Sequence, residues 1–177
     1  MESAERSNPA SGGDRFAEYI RQLDAAAKAA LRRSLSFPPG TWPGAFPYVE
    51  PWVVDAEPWV RRTTYLVAAL QALSRASRES GDMGKAAAEL QKSTGSASVE
   101  QRFLALLDAD ADELPHRLRQ MITLMSSADI APTWATLRKD LRWWRNESKS
   151  VQQRWAASYY RAAAANQPED EMTTESN

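Results

Sequence analysis

Few side chains of this sequence are suited to catalysis, and the single histidine is the first to consider. On a helical wheel of residues 113–127, His116 lies opposite the apolar stripe, which predicts a solvated surface residue. A catalytic histidine needs a nucleophile and an orienting carboxylate within hydrogen-bond reach. Nothing in the sequence places either group beside His116, so we expect no catalysis there.

An acidic run resembles part of a calcium loop. Asp108, Asp110 and Asp112 have the spacing of the first three ligands of such a loop. The sixth position should be glycine but is Glu113, and the twelfth should be glutamate but is Arg119. A loop ending one helix, with an aspartate that caps the next, explains the run better. The chain also lacks cysteine and a glycine-rich phosphate loop. We therefore predict a protein that is not an enzyme and needs no metal, cofactor or small-molecule substrate.

The basic residues are more informative than the net charge of −1 suggests. Four acids and no base lie in residues 167–177, and residues 1–13 hold two acids and one base. Without these ends, the chain has 21 basic and 17 acidic residues. Residues 114–166 contain nine basic and three acidic residues. Seventeen of the 22 bases are arginine, which suits bidentate contacts to phosphate. A genome that favours arginine codons would produce the same ratio.

Several of these arginines recur with helical spacing. In the predicted helix 134–145, Arg138, Arg142 and Arg145 form a second stripe along one flank of the apolar stripe. On the last helix, Arg154 and Arg161 share a flank, seven residues apart. Cations on several helices of one bundle could form a groove that follows a phosphate backbone. A solvated charged face is the alternative, and the sequence alone leaves both open.

Trp143 does not fit a merely solvated face. The wheel places it about 140° from the apolar stripe, so an isolated bundle would expose it. Beside Arg142 and Arg145, an exposed tryptophan indicates a partner surface or a platform for base stacking. Packing against the N-terminal half of the chain is the other possibility.

Hydrophobic spacing predicts helices throughout, and no alternating segment indicates a sheet. A first helix is expected over 14–35 and a second from about Pro58, ended by the break at 80–82. We predict a disordered N-terminus (1–13), an N-terminal helical lobe (14–92), a C-terminal helical bundle (98–165) and an acidic disordered tail (166–177). The segment 93–97 is predicted to be a hinge between the lobes.

The segment 36–58 is unusual because it holds six prolines and five aromatic residues. Proline at this density is expected to exclude helix and central strand. Burial of each large ring contributes roughly 1.5–3 kcal/mol, so we expect the rings to dock on neighbouring helices. The segment is therefore predicted to be an ordered loop rather than a proline-rich recognition ligand.

The second half shows four amphipathic stripes joined by short loops. Their apolar residues include Phe103, Leu118, Trp134, Leu141 and Trp155. Such a pattern is typical of an antiparallel four-helix bundle. The expected fold class is all-α, with two helical lobes. No run approaches the ~18 apolar residues of a membrane helix, and the N-terminus has no apolar stretch, so we expect a cytoplasmic protein without a membrane partner.

The segment 99–160 resembles the C-terminal domain of the CasB family, the small subunit of the type I-E CRISPR surveillance complex Cascade. The order and spacing of several short motifs carry the resemblance. They are Arg102-Phe103, Leu118-Arg119, Trp134, Leu-x-Trp-Trp at 141–144, and Trp155 with Tyr159. Ala-Leu-Arg-Arg at 30–33 and the short helix at 83–90 extend it to the first half. The segment 36–58 is richer in proline and aromatic residues than the family pattern.

This resemblance implies a non-catalytic, all-helical subunit that acts in antiviral defence. It would bind nucleic acid without sequence preference and hold the displaced DNA strand of the R-loop. The implied partners are the other Cascade subunits, a second copy of the chain, the displaced strand and possibly crRNA. A helical adaptor that contacts only proteins is the alternative. The candidate nucleic-acid-binding residues are Arg32, Arg33, Arg102, Arg117, Arg119, Arg138, Lys139, Arg142, Arg145, Lys149 and Arg154.

Overall fold

The structure is a computed structural model that describes residues 14–167. The predictions for residues 1–13 and 168–177 lie outside this range. The described chain forms nine α-helices, with no strand beyond one isolated bridge between Glu79 and Ala131. The all-α prediction is confirmed. The helices are α1 (Arg15–Gln22), α2 (Ala25–Ser34), α3 (Phe46–Val49), α4 (Pro58–Leu73), α5 (Met83–Thr94), α6 (Ser98–Asp108), α7 (Leu114–Ser127), α8 (Trp134–Leu141) and α9 (Ser150–Ala165).

The single helix predicted over 14–35 is wrong, because the chain divides it into α1 and α2. Leu23 ends α1 with an extended backbone, at ψ 146°. Asp24 then begins α2, since its side chain accepts a hydrogen bond from the Ala27 amide at 2.8 Å. An aspartate cap satisfies an amide that would otherwise lack a partner, so a new helix can start here. Phe16 and Leu31 remain buried on the expected side.

The proline- and aromatic-rich segment is more helical than predicted. It contains α3 and two short 3-10 turns, at Pro43–Ala45 and Glu50–Trp52. The expectation that proline excludes helix here is wrong, because each of these turns carries a proline in its first two positions. The amides of these positions have no partner within a helix, so proline removes no bond there. Three rings of the segment, those of Trp42, Phe46 and Tyr48, pack on a buried cluster.

Two buried clusters share α4. The smaller joins α1, α2 and the segment 36–58 to Tyr65, Ala68 and Ala72 of α4. The larger joins α5–α9 to another face of α4 that includes Leu66 and Leu70. Helix α5 packs with the C-terminal helices, although it lies N-terminal to the predicted hinge. The division into two lobes stays a prediction.

The apolar stripes predicted for the second half are buried. Phe103 stacks on Tyr159 with ring centroids 4.7 Å apart, and Trp144 meets Trp155 at 5.2 Å. Helix α5 approaches α9 so closely that Gly84 faces the Trp155 carbonyl. None of the helices between residues 14 and 167 combines the length and apolar character that crossing a membrane requires.

Candidate nucleic-acid interface

Helix α4 is almost wholly buried, and basic side chains line two hollows that lie along it. The first hollow along this helix has a volume of about 650 Å³ and lies between the segment 34–41, α4 and the start of α7. Arg62, His116 and Arg119 supply its basic lining. His116 is exposed, as the sequence predicted.

A second hollow of about 470 Å³ follows at the C-terminal end of α4. Arg32 and Arg75 line it, opposite Thr123 of α7. Thr123 lies one turn beyond Arg119, so both hollows adjoin the same face of α7. We call the surface that spans the two hollows the α4 groove, defined by Arg32, Arg62, Arg75, His116 and Arg119. At 1.5 Å per residue, it follows α4 for about 17 Å from residue 62 to residue 73.

The α4 groove has a strong excess of positive charge. Among the residues lining its two hollows, Asp112 is the only acid. Its side chain is 91% exposed, and one carboxylate oxygen lies 3.5 Å from the Arg62 guanidinium. Arg32 donates to the Ala72 carbonyl at 3.2 Å, which holds its guanidinium at the groove. A solvent-exposed acid screens one arginine weakly, so most of the positive charge remains available.

Trp59 connects the N-terminal end of α4 to the C-terminal helices. Its indole N–H donates to the Leu141 carbonyl at 2.8 Å, a buried hydrogen bond. The guanidinium of Arg62 lies 5.8 Å from the centroid of the Trp59 ring, and that of Arg145 lies 5.2 Å from it. Both distances lie within the range of cation–π attraction. The α4 groove is therefore joined to the turn that follows α8.

This turn, residues 142–145, differs from the sequence prediction, because α8 ends at Leu141 rather than near residue 145. The amides of Trp143 and Trp144 bond to the carbonyls of Asp140 and Leu141 at 3.0 and 3.2 Å. Trp144 is buried and donates its indole N–H to the Ala109 carbonyl at 3.1 Å. Trp143 points away from the core and is 61% exposed. Packing of this ring into a buried cluster with the N-terminal half, one of the predicted possibilities, does not occur within residues 14–167.

Two of the predicted binding residues form ion pairs within the protein. Arg138 donates to both carboxylate oxygens of Asp14, at 2.9 and 3.2 Å, and lies over the Phe16 ring. Arg154 pairs with Asp140, whose second oxygen accepts from the Trp155 indole at 2.7 Å. Burial raises the pKa of Asp140, although the Trp155 and Arg154 bonds oppose the shift. These arginines tie helices together, and each is paired with a carboxylate that is itself largely buried.

The other predicted residues do not form one stripe. Arg33 lies over Trp42, and Arg102 lines a separate hollow between α5, α6 and α7. Only Arg32 and Arg119 of the predicted set line the α4 groove, and Arg145 joins it through Trp59. The remaining four are at least partly exposed and have no ion pair within the described part of the chain. They are Arg117, Lys139, Arg142 and Lys149.

Three residues of the α4 groove were not among those predicted from the sequence to bind nucleic acid: Arg62, Arg75 and His116. Arg61-Arg62 is a pair of charges at the start of an otherwise apolar helix, which was a usable signal. The Arg61 guanidinium donates a hydrogen bond to the Glu50 carboxylate at 2.8 Å, whereas the Arg62 side chain lines the α4 groove. Which of two adjacent arginines faces a groove depends on the packing of α4 and could not be determined from sequence.

The acidic run forms the predicted loop between α6 and α7, but the prediction that an aspartate caps α7 is wrong, because the N-cap residue is Glu113 and its side chain makes no capping bond. Asp110 accepts from the amides of Asp112 and Glu113 at 2.8 and 2.9 Å, just before α7 begins. Within residues 14–167, no group of three or more histidine, aspartate or glutamate side chains is placed to hold a metal. The basic side chains of the α4 groove are suited to binding an anionic polymer.

The fold defines the class as an all-α protein, and comparison with known proteins agrees with that class. The sequence profile of CRISPR-associated protein Cse2 matches residues 27–160. CRISPR-associated protein Cse2 of Thermus thermophilus is 44% identical over 163 residues, which cover 88% of this chain and 94% of that protein. The chain therefore belongs to the Cse2 family, whose members are also named CasB, and the resemblance stated above is confirmed.

Solved structures show the same fold. A Cse2-family crystal structure from Thermus thermophilus matches with a TM-score of 0.72 at 44% identity, covering 86% of this chain and 99% of that chain. The crystal structure of M. ruber CasB matches with 0.73 at 38% identity, covering 85% and 93%. A chain of a CRISPR RNA-guided surveillance complex matches with 0.74 at 26% identity, covering 85% and 90%.

Proposed function

We propose that this protein is a non-catalytic subunit of a cytoplasmic type I-E CRISPR surveillance complex and binds the displaced single strand of the R-loop without sequence preference. Membership of the Cse2 family and the likeness to a chain of a CRISPR RNA-guided surveillance complex support the first part. The charge and shape of the α4 groove support the second. Its partners would be the other subunits, a second copy of the chain, the displaced strand and crRNA.

The observation that carries the proposal is the excess of arginine along the α4 groove. Four arginines and His116 line two adjoining hollows, against one exposed acid. A row of guanidinium groups binds phosphates through paired hydrogen bonds and releases condensed counterions. Contacts to phosphate carry no sequence information, so every DNA sequence should bind equally well.

Weak binding would be sufficient for this role. Replacement of a DNA duplex by a guide–target heteroduplex is nearly balanced in free energy, so a few backbone contacts to the displaced strand can favour the open state. A subunit held within the complex meets that strand at high effective concentration. The isolated protein therefore needs no high affinity.

The test is a gel-shift titration of the purified full-length protein with single- and double-stranded DNA at two salt concentrations. We expect single strands of unrelated sequence to bind with equal affinity, and more weakly at the higher salt. Assembly with the other subunits is measured in parallel. A protein that assembles normally but binds no DNA, alone or within the complex, would be the adaptor that contacts only proteins.

A further inference from the structure

We infer that Trp143 stacks on a base of the bound single strand, so that the turn 142–145 contacts bases while the α4 groove contacts phosphates. This inference rests on the proposed binding of single-stranded nucleic acid. Trp143 would position the strand through one of its bases, a contact that binding through phosphates alone does not require.

The turn holds Trp143 in a fixed outward position. The Leu141 carbonyl before it accepts from the buried Trp59 indole at 2.8 Å. Trp144 after it is buried and bonds to the Ala109 carbonyl at 3.1 Å. The Trp143 carbonyl accepts from the Asn146 amide at 3.0 Å, which closes the turn. The backbone on both sides of Trp143 is therefore anchored, although its own ring is exposed. A backbone already held in place loses little entropy when the ring that it carries binds.

The cations flanking Trp143 in the chain favour an anionic partner over an apolar protein surface, and the exposed indole among them favours a nucleic acid, whose bases can stack on it. Within the stretch 139–149 the exposed charged residues are mostly cations, and Glu147 is the one exposed acid. The nearby Asp140 is buried and paired with Arg154. The exposed cations of this stretch are Lys139, Arg142, Arg145 and Lys149. An exposed indole among cations is the arrangement that binds single strands, because the ring stacks on any base while the cations neutralise adjacent phosphates.

The position of the turn also suits a strand that leaves the α4 groove. Arg145, which follows Trp143 by two residues, shares the Trp59 ring with Arg62 of the groove. A strand lying along Arg119 and Arg62 would meet Arg145 next and then Trp143. Base stacking at this end would favour a single strand, since the bases of a duplex are already stacked on each other.

The test is a double-mutant cycle between the protein and the oligonucleotide. The full-length protein and its Trp143→Ala and Trp143→Phe variants are titrated with oligothymidylate and with an abasic oligomer of the same length. We expect Trp143→Ala to weaken oligothymidylate binding by about 5- to 100-fold. Its effect on the abasic oligomer should be much smaller, and phenylalanine should restore most of the affinity. Tyr160→Ala removes an exposed ring from α9 and should change neither affinity.

Two results would overturn the inference while leaving the proposed function intact. One is an unchanged affinity of Trp143→Ala for oligothymidylate. The other is an equal weakening of binding to both oligomers, which would mean that Trp143 contributes to affinity without contacting a base. If the parent protein and its complex bind neither oligomer, the proposed function itself fails. The inference fails with it.

Discussion

The guanidinium of Arg145 lies 5.2 Å from the centroid of the Trp59 ring, which joins the turn after α8 to the first turn of α4. These residues are 86 positions apart in the chain. Arg62 lies over the same ring, so the basic residues of α4 and of the turn form one surface. The path proposed for a nucleic-acid strand depends on this contact.

Charge reversal at Arg138 and at Arg142 should have different effects. Arg142 is exposed, so Arg142→Glu should weaken single-strand binding and change the free energy of unfolding by less than about 0.5 kcal/mol. Arg138 bonds to the nearly buried Asp14, so Arg138→Glu should lower the free energy of unfolding by about 2 kcal/mol. Urea unfolding and a binding titration of both variants measure this. Equal stability of the two variants would contradict the structural role of Arg138.

Gly84 should not tolerate a larger residue. A Cβ atom at this position would overlap the Trp155 carbonyl oxygen, which belongs to the backbone of α9 and cannot move aside. Gly84→Ala should therefore cost about 1–3 kcal/mol or more. Gly95→Ala is the control, because its Cβ would meet no atom within 4 Å and only its φ of 65° opposes it. Thermal melting of both variants should show the larger destabilisation at Gly84.

Phe103 is fully buried and stacked on Tyr159. Phe103→Ala should lower the free energy of unfolding by about 3–5 kcal/mol, because it removes a ring from a packed core and leaves a cavity. Leu104→Ala is a matched control, since the neighbouring Leu104 is an exposed residue of the same helix. Similar unfolding midpoints in urea for these two variants would contradict the packing of α6.

Glu50 anchors the segment 36–58 to α4. Hydrogen bonds from the Tyr65 hydroxyl, and then from Arg61, lower the pKa of Glu50 below its usual 4.5. A lowered pKa stabilises the fold above pH 4.5, and this contribution is lost as the pH falls through the lowered value. Glu50→Gln should therefore be less stable than the parent at neutral pH. The difference in melting temperature should shrink below about pH 4.5, and a difference that is constant down to about pH 3 would contradict the anchor.

The sequence predicted the helical class and most of the core because apolar residues recur with the helical period. Phe103, Trp134 and Trp155 are buried as that period requires. The helical period did not predict the helix boundaries at two places. At Asp24 a local cap starts a new helix, and at Leu141 a helix ends early. Both outcomes depend on a few side-chain bonds that periodicity does not record.

The candidate interface was harder to predict than the fold, because long-range contacts decide which arginines remain available. Arg138 had helical spacing with Arg142, yet Asp14, 124 positions away, binds it. The groove also combines arginines from three helices, which come together only in the folded protein. They are Arg32 of α2, Arg62 of α4 and Arg119 of α7. Helical wheels describe one helix at a time, so they could not place these residues together.

Strand binding by the α4 groove is tested most directly by the salt dependence of single-strand binding, measured for the parent, for the double variant Arg62→Glu/Arg119→Glu and for the control Arg161→Glu. Arg161 is exposed on α9 and lines neither hollow of the α4 groove. We expect the double variant to bind every sequence more weakly. Its slope of log affinity against log salt should fall by roughly 0.7 for each phosphate that the variant no longer neutralises. The control should keep the parental slope. An unchanged slope and affinity in the double variant would contradict the claim that the α4 groove binds the strand.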